Sequence, residues 1–281
     1  MYRLWALAAL ACLGAALAVP RGRTSVAAVA NPEDGYVTNG QYTNDYFGMA
    51  YRFPPGWSED RQGPAPSYSG YYVLTALKDE GKWAGTMLLT AQDGFFVADL
   101  PSSVREVVDR FRRQISEIDG MMIDHEPQET TISGISFASL DFSGVGLYRT
   151  VVVAESRCHF VSLNLTTAGP DGWAGLTQSL DRLSLGEPAD RVGQVPVCVK
   201  DYATPHNVIS RVEPTPAAPK FTSVPVRIVI GADGRVRHIH VIRASADQRE
   251  NITAALSGWQ FRPFAIEGRP VEVETGIIFR F

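Results

Sequence analysis

The chain has 281 residues, 45% hydrophobic and 20% charged. That is a globular composition with room for two domains, and it excludes a disordered polymer or a chain embedded in a bilayer. A formal net charge of −4 gives no overall basic field for nucleic acid.

Arg3 precedes an apolar run over residues 4–19, near the length of a secretory core and short of a comfortable bilayer span. Ala16-Leu17-Ala18 supplies a small-x-small cleavage pattern, so residues 1–18 read as a signal peptide. An uncleaved anchor is the alternative, with Arg21 and Arg23 following the run. Residues 19–41 lack periodicity and read as a flexible lead-in. Phe47, Met49, Tyr51 and Phe53 then alternate as a half-buried strand, stopped by Pro54-Pro55-Gly56. A polar loop runs to Gly70, and strands are expected over residues 71–77 and 85–91. Ser103 with Glu106 opens a helix whose Val104, Val107, Val108, Phe111, Ile115 and Ile118 share one face. Asp124, Glu126 and Glu129 read as an acidic loop around His125. Strands are expected over residues 131–142, 145–154 and 158–166, and a second helix from Asp171.

Residues 187–223 contain several prolines and read as a linker. Val224, Val226, Ile228 and Ile230 alternate as a strand, Asp233-Gly234 turns it, and residues 236–242 return. A three-turn helix begins near Ser245 or Asp247 and ends near Gly258. Val271, Val273, Thr275, Ile277, Phe279 and Phe281 share one face of a last strand. Glu272, Glu274 and Arg280 lie opposite, as on a sheet with one wet face. Residues 31–195 hold about 12 basic and 22 acidic side chains, against about 11 and 8 in residues 196–281. The two halves should therefore attract weakly, within a screening length of roughly 8–10 Å.

The chemistry on offer is sparse. His238 and His240 share a strand face, a geometry that can hold zinc but lacks a third ligand nearby, so a solvated face is expected. His159 reads as a satisfied core histidine, since adjacent strand residues face opposite ways and Cys158 cannot pair with it as a nucleophile. Cys158 and Cys198 remain once the leader is removed, and an exported compartment permits a disulfide between them or two separate thiols. No nucleophile elbow, phosphate loop or His-Glu-x-x-His helix occurs in the sequence. An enzyme is therefore not expected, nor a cofactor or a metal.

Two resemblances organise these elements into an α+β chain. The order β-β-β-α-β-β-β-α over residues 42–186, with Tyr46-Phe47-Gly48-Met49 and Phe53-Pro54-Pro55-Gly56-Trp57, resembles the PsbP-like α/β/α sandwich. Residues 224–281 resemble the ββαβ C-terminal domain of TonB. The resemblance is carried by Val226-Arg227-Ile228-Val229-Ile230, Asp233-Gly234-Arg235-Val236, Ala254-Ala255-Leu256, Trp259-Gln260-Phe261-Arg262-Pro263, Gly268-Arg269-Pro270-Val271 and Phe279-Arg280-Phe281. It departs from that family at Pro214-Thr215-Pro216, which lacks the usual tyrosine, and in having a globular domain where a true TonB has a long spacer. The TonB resemblance implies that the last strand is a partner-binding edge comprising Val271, Glu272, Val273, Glu274, Thr275, Gly276, Ile277, Ile278, Phe279 and Arg280. The expected protein is a periplasmic or secreted interaction module, binding an extended peptide or partner strand, with a homodimer through edge strands as an equal outcome. The alternative is an energy transducer held by an uncleaved N-terminus and linked to outer-membrane transport. Contact with a membrane is expected only in that case, and no nucleic-acid partner is expected.

Overall fold

The computed structural model describes residues 30–79, 81, 84–132, 134–186 and 195–281. The signal peptide expected at residues 1–18 lies outside them. In chain order the first domain contains β1 (Tyr36–Thr38), β2 (Gln41–Asn44), β3 (Met49–Arg52), β4 (Trp57–Gln62), β5 (Tyr71–Asp79), β6 (Thr86–Asp93), a 3-10 turn (Gly94–Phe96) and α1 (Val104–Ser116). It continues with β7 (Met121–Ile132), β8 (Ile135–Gly144), β9 (Leu147–Ser156), β10 (His159–Thr167), α2 (Pro170–Ser179) and β11 (Leu183–Ser184). The second comprises β12 (Val197–Cys198), β13 (Val208–Ser210), β14 (Ser223–Ile230), β15 (Val236–Val241), α3 (Ala246–Ser257), β16 (Gln260–Phe261), β17 (Phe264–Ile266), β18 (Arg269–Val271) and β19 (Val273–Arg280).

The first domain is built on a seven-stranded antiparallel sheet in the order β4-β5-β6-β10-β9-β8-β7. Period-2 alternation sends Met87, Leu89, Ala91, Val161, Leu163, Leu165, Val152 and Ala154 to one face. There they meet Tyr42, Phe47, Met49 and Tyr51 of the small sheet β1-β2-β3-β11, together with Leu176 of α2. The other face offers Ala138, Leu140, Phe142, Val151, Val153 and Phe160 to Val108 of α1. Ser103 caps α1 by accepting from the Glu106 N–H at 3.2 Å. The Glu106 carboxylate reaches back to the Ser102 N–H at 2.7 Å, one residue short of a true capping box.

The second domain is a ββαβ unit. Its sheet runs β12-β19-β14-β15, and Val224, Val226, Ile228, Val273 and Phe279 pack against Ile252 and Leu256 of α3. Ser245 and Gln248 form a reciprocal capping box at the start of α3. Together the domains give an α+β architecture: a large antiparallel sandwich with flanking helices, then a small ββαβ unit.

The fold departs from the sequence reading in five places. Tyr36–Thr38 is a strand within the expected lead-in, and Gln41–Asn44, a second strand, begins at its last residue. Trp57–Gln62 and Met121–Ile132 are strands where polar loops are expected. Both are outermost in the sheet, mostly exposed, and broken by register shifts, so they carry no apolar alternation. The acidic residues around His125 thus sit on an edge strand. Residues 197–210, expected as linker, supply β12, β13 and the buried Tyr202 to the second core. The last strand is divided, with Val271 in the β17–β18 hairpin and only Val273–Arg280 in the sheet. Its expected wet face is covered at Glu274, which is 3% exposed, while Glu272, Ile278 and Arg280 stay exposed.

Candidate functional site

β19 pairs antiparallel with β14 along its whole length, from Ile230 opposite Val273 to Ser223 opposite Arg280. Its other side is only partly occupied. β12 runs parallel to its first two residues, with Val197 opposite Val273 and Cys198 opposite Glu274. The Val197 and Val199 N–H groups donate to the carbonyls of Glu272 (2.8 Å) and Glu274 (3.0 Å). Those bonds fix the polarity of the edge. Even-numbered residues turn their backbone groups outward, and odd-numbered ones turn theirs toward β14. Beyond Glu274, Gly276, Ile278 and Arg280 therefore present N–H and C=O groups to which no strand pairs among the described residues. Of the residues expected to form the edge, Val271 to Glu274 lie in a hairpin or under β12, and the free stretch is confined to Gly276–Arg280. Ile278 there is 45% exposed.

The face of β19 beside that edge is docked on the first domain through a buried charge cluster. Arg227 on β14 is 2% exposed. Its Nη1 donates to Asp93 Oδ2 at 2.5 Å, and its Nη2 reaches Glu274 Oε1 at 2.9 Å. Nη2 also donates to the Tyr46 hydroxyl at 2.9 Å, and that hydroxyl donates to Glu274 Oε1 at 3.1 Å. The guanidinium lies 4.7 Å over the Phe95 ring. Arg227 and Glu274 come from the second domain, Asp93, Tyr46 and Phe95 from the first. Gly276 lets the sheet approach, since a Cβ there would sit 2.6 Å from the Phe95 Cβ.

His159 completes the cluster. Its Nδ1 is 2.7 Å from the Arg157 carbonyl, which assigns the proton to Nδ1 and leaves the Nε2 lone pair facing Arg227 Nη1 at 3.5 Å. Burial, then the Arg227 charge, hold its pKa well below the usual histidine value. The hydrogen bond to the Arg157 carbonyl favours the cation but is outweighed; Asp93 Oδ2 lies 3.7 Å from Nε2. Burial also raises the Asp93 carboxyl above its usual range, against the pull of Arg227. Burial raises Tyr46 as well, so it stays a neutral donor.

Further links join the domains. Cys158 and Cys198 form a disulfide with Cα atoms 5.7 Å apart. His240 Nε2 meets Glu33 Oε1 at 2.8 Å, and His238 Nε2 meets Asn31 Oδ1 at 3.2 Å. The expected solvated histidine face is thus a contact with the first domain, and His240 is 6% exposed. Among the described residues no group of three or more His, Cys, Asp or Glu is placed to hold a metal ion. No helix among them is long and apolar enough to cross a membrane.

Residues 220–281 match the family described as Gram-negative bacterial TonB protein C-terminal. The C-terminal domain is TonB C-terminal-like. No curated protein matches the chain. Among solved structures, cyanobacterial PsbP (CyanoP) from Synechocystis sp. PCC 6803 is similar at 16% identity and a TM-score of 0.37, over 52% of this chain and 91% of that one. A mutant of the protein Mog1 is similar at 12% identity and a TM-score of 0.29, over 49% of this chain and 90% of that one. With its TonB C-terminal-like domain, this chain is a sheet-rich module whose second sheet is braced on α3 on one side and on a sandwich domain on the other.

Sequence reasoning missed Arg227, Asp93 and Glu274 as a unit. One signal was present. Pro225, opposite Ile278, and Val229, opposite Glu274, fall on the face read as wet, and Val229 is in fact buried. Apolar residues on both faces mark a sheet covered twice.

Proposed function

We propose that this chain is an exported cell-envelope protein, periplasmic or secreted, that works without catalysis by presenting the outer edge of Gly276–Arg280 to an extended segment of a protein partner. The reading rests on one observation: among the described residues, no strand pairs with the backbone donors and acceptors of three consecutive outward residues of β19, on a strand that is otherwise held fast. An added strand would satisfy those six groups, which is the physical basis of β-augmentation. The TonB C-terminal-like match and the Cys158–Cys198 bridge support an exported location. A second copy of the chain could supply the added strand as readily as another protein.

Ile278→Pro tests this. Its N–H points away from β14, so proline removes a docking donor without removing an internal ladder bond. A photo-crosslinking residue at position 280 should capture a discrete partner in cells, or a second copy at twice the mass. Ile278→Pro should abolish the adduct while unfolding remains cooperative. Equal adducts in both chains would sink the reading. Linkage to outer-membrane transport would add an N-terminal anchor to the same docking strand, and N-terminal sequencing of membrane and soluble fractions separates the two.

A further inference from the structure

α1 covers only half of the sheet face it packs on. Its partners are β7, β8 and β9, where Ala138, Leu140, Phe142, Val151 and Val153 lie beneath it. On the neighbouring strands the same face changes character. Ser162 of β10 lies directly opposite Thr90 of β6, with Asn164 opposite Leu88 and Phe160 opposite Gln92 on either side. This half forms the floor of a cleft of about 490 Å³. Its walls are apolar: Val107 and Phe111 of α1 on one side, and Val97 and Pro101 of the loop before α1 on the other.

A polar floor within apolar walls is ordinary if water fills it. The details favour an organic occupant. Thr90 is 3% exposed, and among the described residues neither its hydroxyl nor that of Ser162 has a hydrogen-bond partner. Asn164 makes a single long contact, 3.4 Å to the Leu88 carbonyl. Hydroxyls deep between apolar walls fit a ligand that brings its own polar atom and shields it from water. Charge narrows the class. Arg110 is the cation at the rim, and it is already held by Glu106 at 2.6 Å and Asp99 at 3.1 Å. Among the described residues lining the cleft a carboxylate or phosphate would find no free cation, and it would face Asp99.

We infer that this cleft binds an uncharged, amphipathic small organic molecule, with an apolar body between Val107, Phe111 and Pro101 and a hydroxyl, carbonyl or amine over Thr90 and Ser162. The volume falls within the ordinary range for small-molecule sites, roughly 300–1,000 Å³. The site lies apart from the β19 edge and stands or falls independently of partner docking.

The probe is N-phenyl-1-naphthylamine, a neutral amine bearing a naphthyl and a phenyl group, titrated by fluorescence into the full chain. One saturable site is expected. Val107→Trp fills the cleft from the helix side and should weaken binding at least about tenfold. Thr90→Val keeps the volume, removes the hydroxyl, and should weaken it about three- to tenfold. Ser162→Ala is the second hydroxyl variant should Thr90→Val fold poorly. An anionic naphthalene sulfonate of similar size should bind more weakly than the neutral probe. Absence of saturable binding, or equal binding in filled and hydroxyl-deleted chains that unfold like the wild type, would overturn the inference.

Discussion

Arg227 carries a charge at 2% exposure, a position that water would normally have to stabilise. Asp93, Glu274, the Tyr46 hydroxyl and the Phe95 ring take over that task. Removing the cation while both carboxylates stay buried should be severe. Arg227→Met is expected to lower unfolding free energy by about 3–5 kcal/mol, read from denaturant midpoints at pH 7. Arg227→Lys should recover little, because an ammonium cannot span Asp93 and Glu274 as the guanidinium fork does. A loss below about 1 kcal/mol would contradict the pairing. The cluster also predicts an acid response. His159 faces Arg227, Asp93, Tyr46, Tyr72 and His240, and it stays neutral well below its usual pKa of 6.5. The unfolded chain takes up a proton below that value and the folded chain does not. Stability is therefore complete above pH 6.5 and falls on acidification, by about 1.4 kcal/mol per pH unit for each such histidine. His238, also lowered chiefly by burial, adds in the same direction. Urea titrations between pH 7.5 and 5.5 should show this slope, and His159→Gln should reduce it.

At the scale of elements, the organisation of β19 separates what holds the sheet from what remains open. Its inward residues are used by β14, its first outward groups by β12, and its last outward groups by nothing among the described residues. Gly276 sits at the changeover, under the Phe95–Phe96 turn. Gly276→Val should push the sheet off the first domain and cost about 1–3 kcal/mol as overpacking, with faster amide exchange at β14 and β19 than at β8 and β9. Unchanged exchange at β14 would mean that this approach is not tight. β7 teaches the complementary lesson. Asp124, His125, Glu126, Pro127, Gln128 and Glu129 have the composition of a loop, and they form a strand because β8 supplies a template on one side. Pro127 and the charges keep its other side from pairing further.

At the scale of the whole molecule, the acidic first domain and the basic second one meet through the Arg227–Asp93 pair, which is buried deeply enough to escape salt screening. The Cys158–Cys198 bridge closes a separation of 40 residues across that junction. Reduction, or the double substitution Cys158→Ala and Cys198→Ala, should lower stability by about 2–4 kcal/mol through the greater freedom of the unfolded chain. Calorimetry should find one transition in the oxidised protein and two in a reduced chain that also carries Arg227→Met. A single transition in both would show that the junction does not couple the domains. The ββαβ order, α1 with its Ser103 cap, the strands from β8 to β10 and the TonB-like words were legible in the sequence by itself, because local periodicity, caps and turns fix such elements wherever they are placed. Which faces are dry, where β19 stays unpaired, and why Arg227, Asp93, Glu274 and His159 tolerate burial were decided only when the two domains docked. Those properties belong to pairs of residues as many as 228 positions apart, and burial and pairing depend on what lies opposite in space, which a one-dimensional pattern does not record.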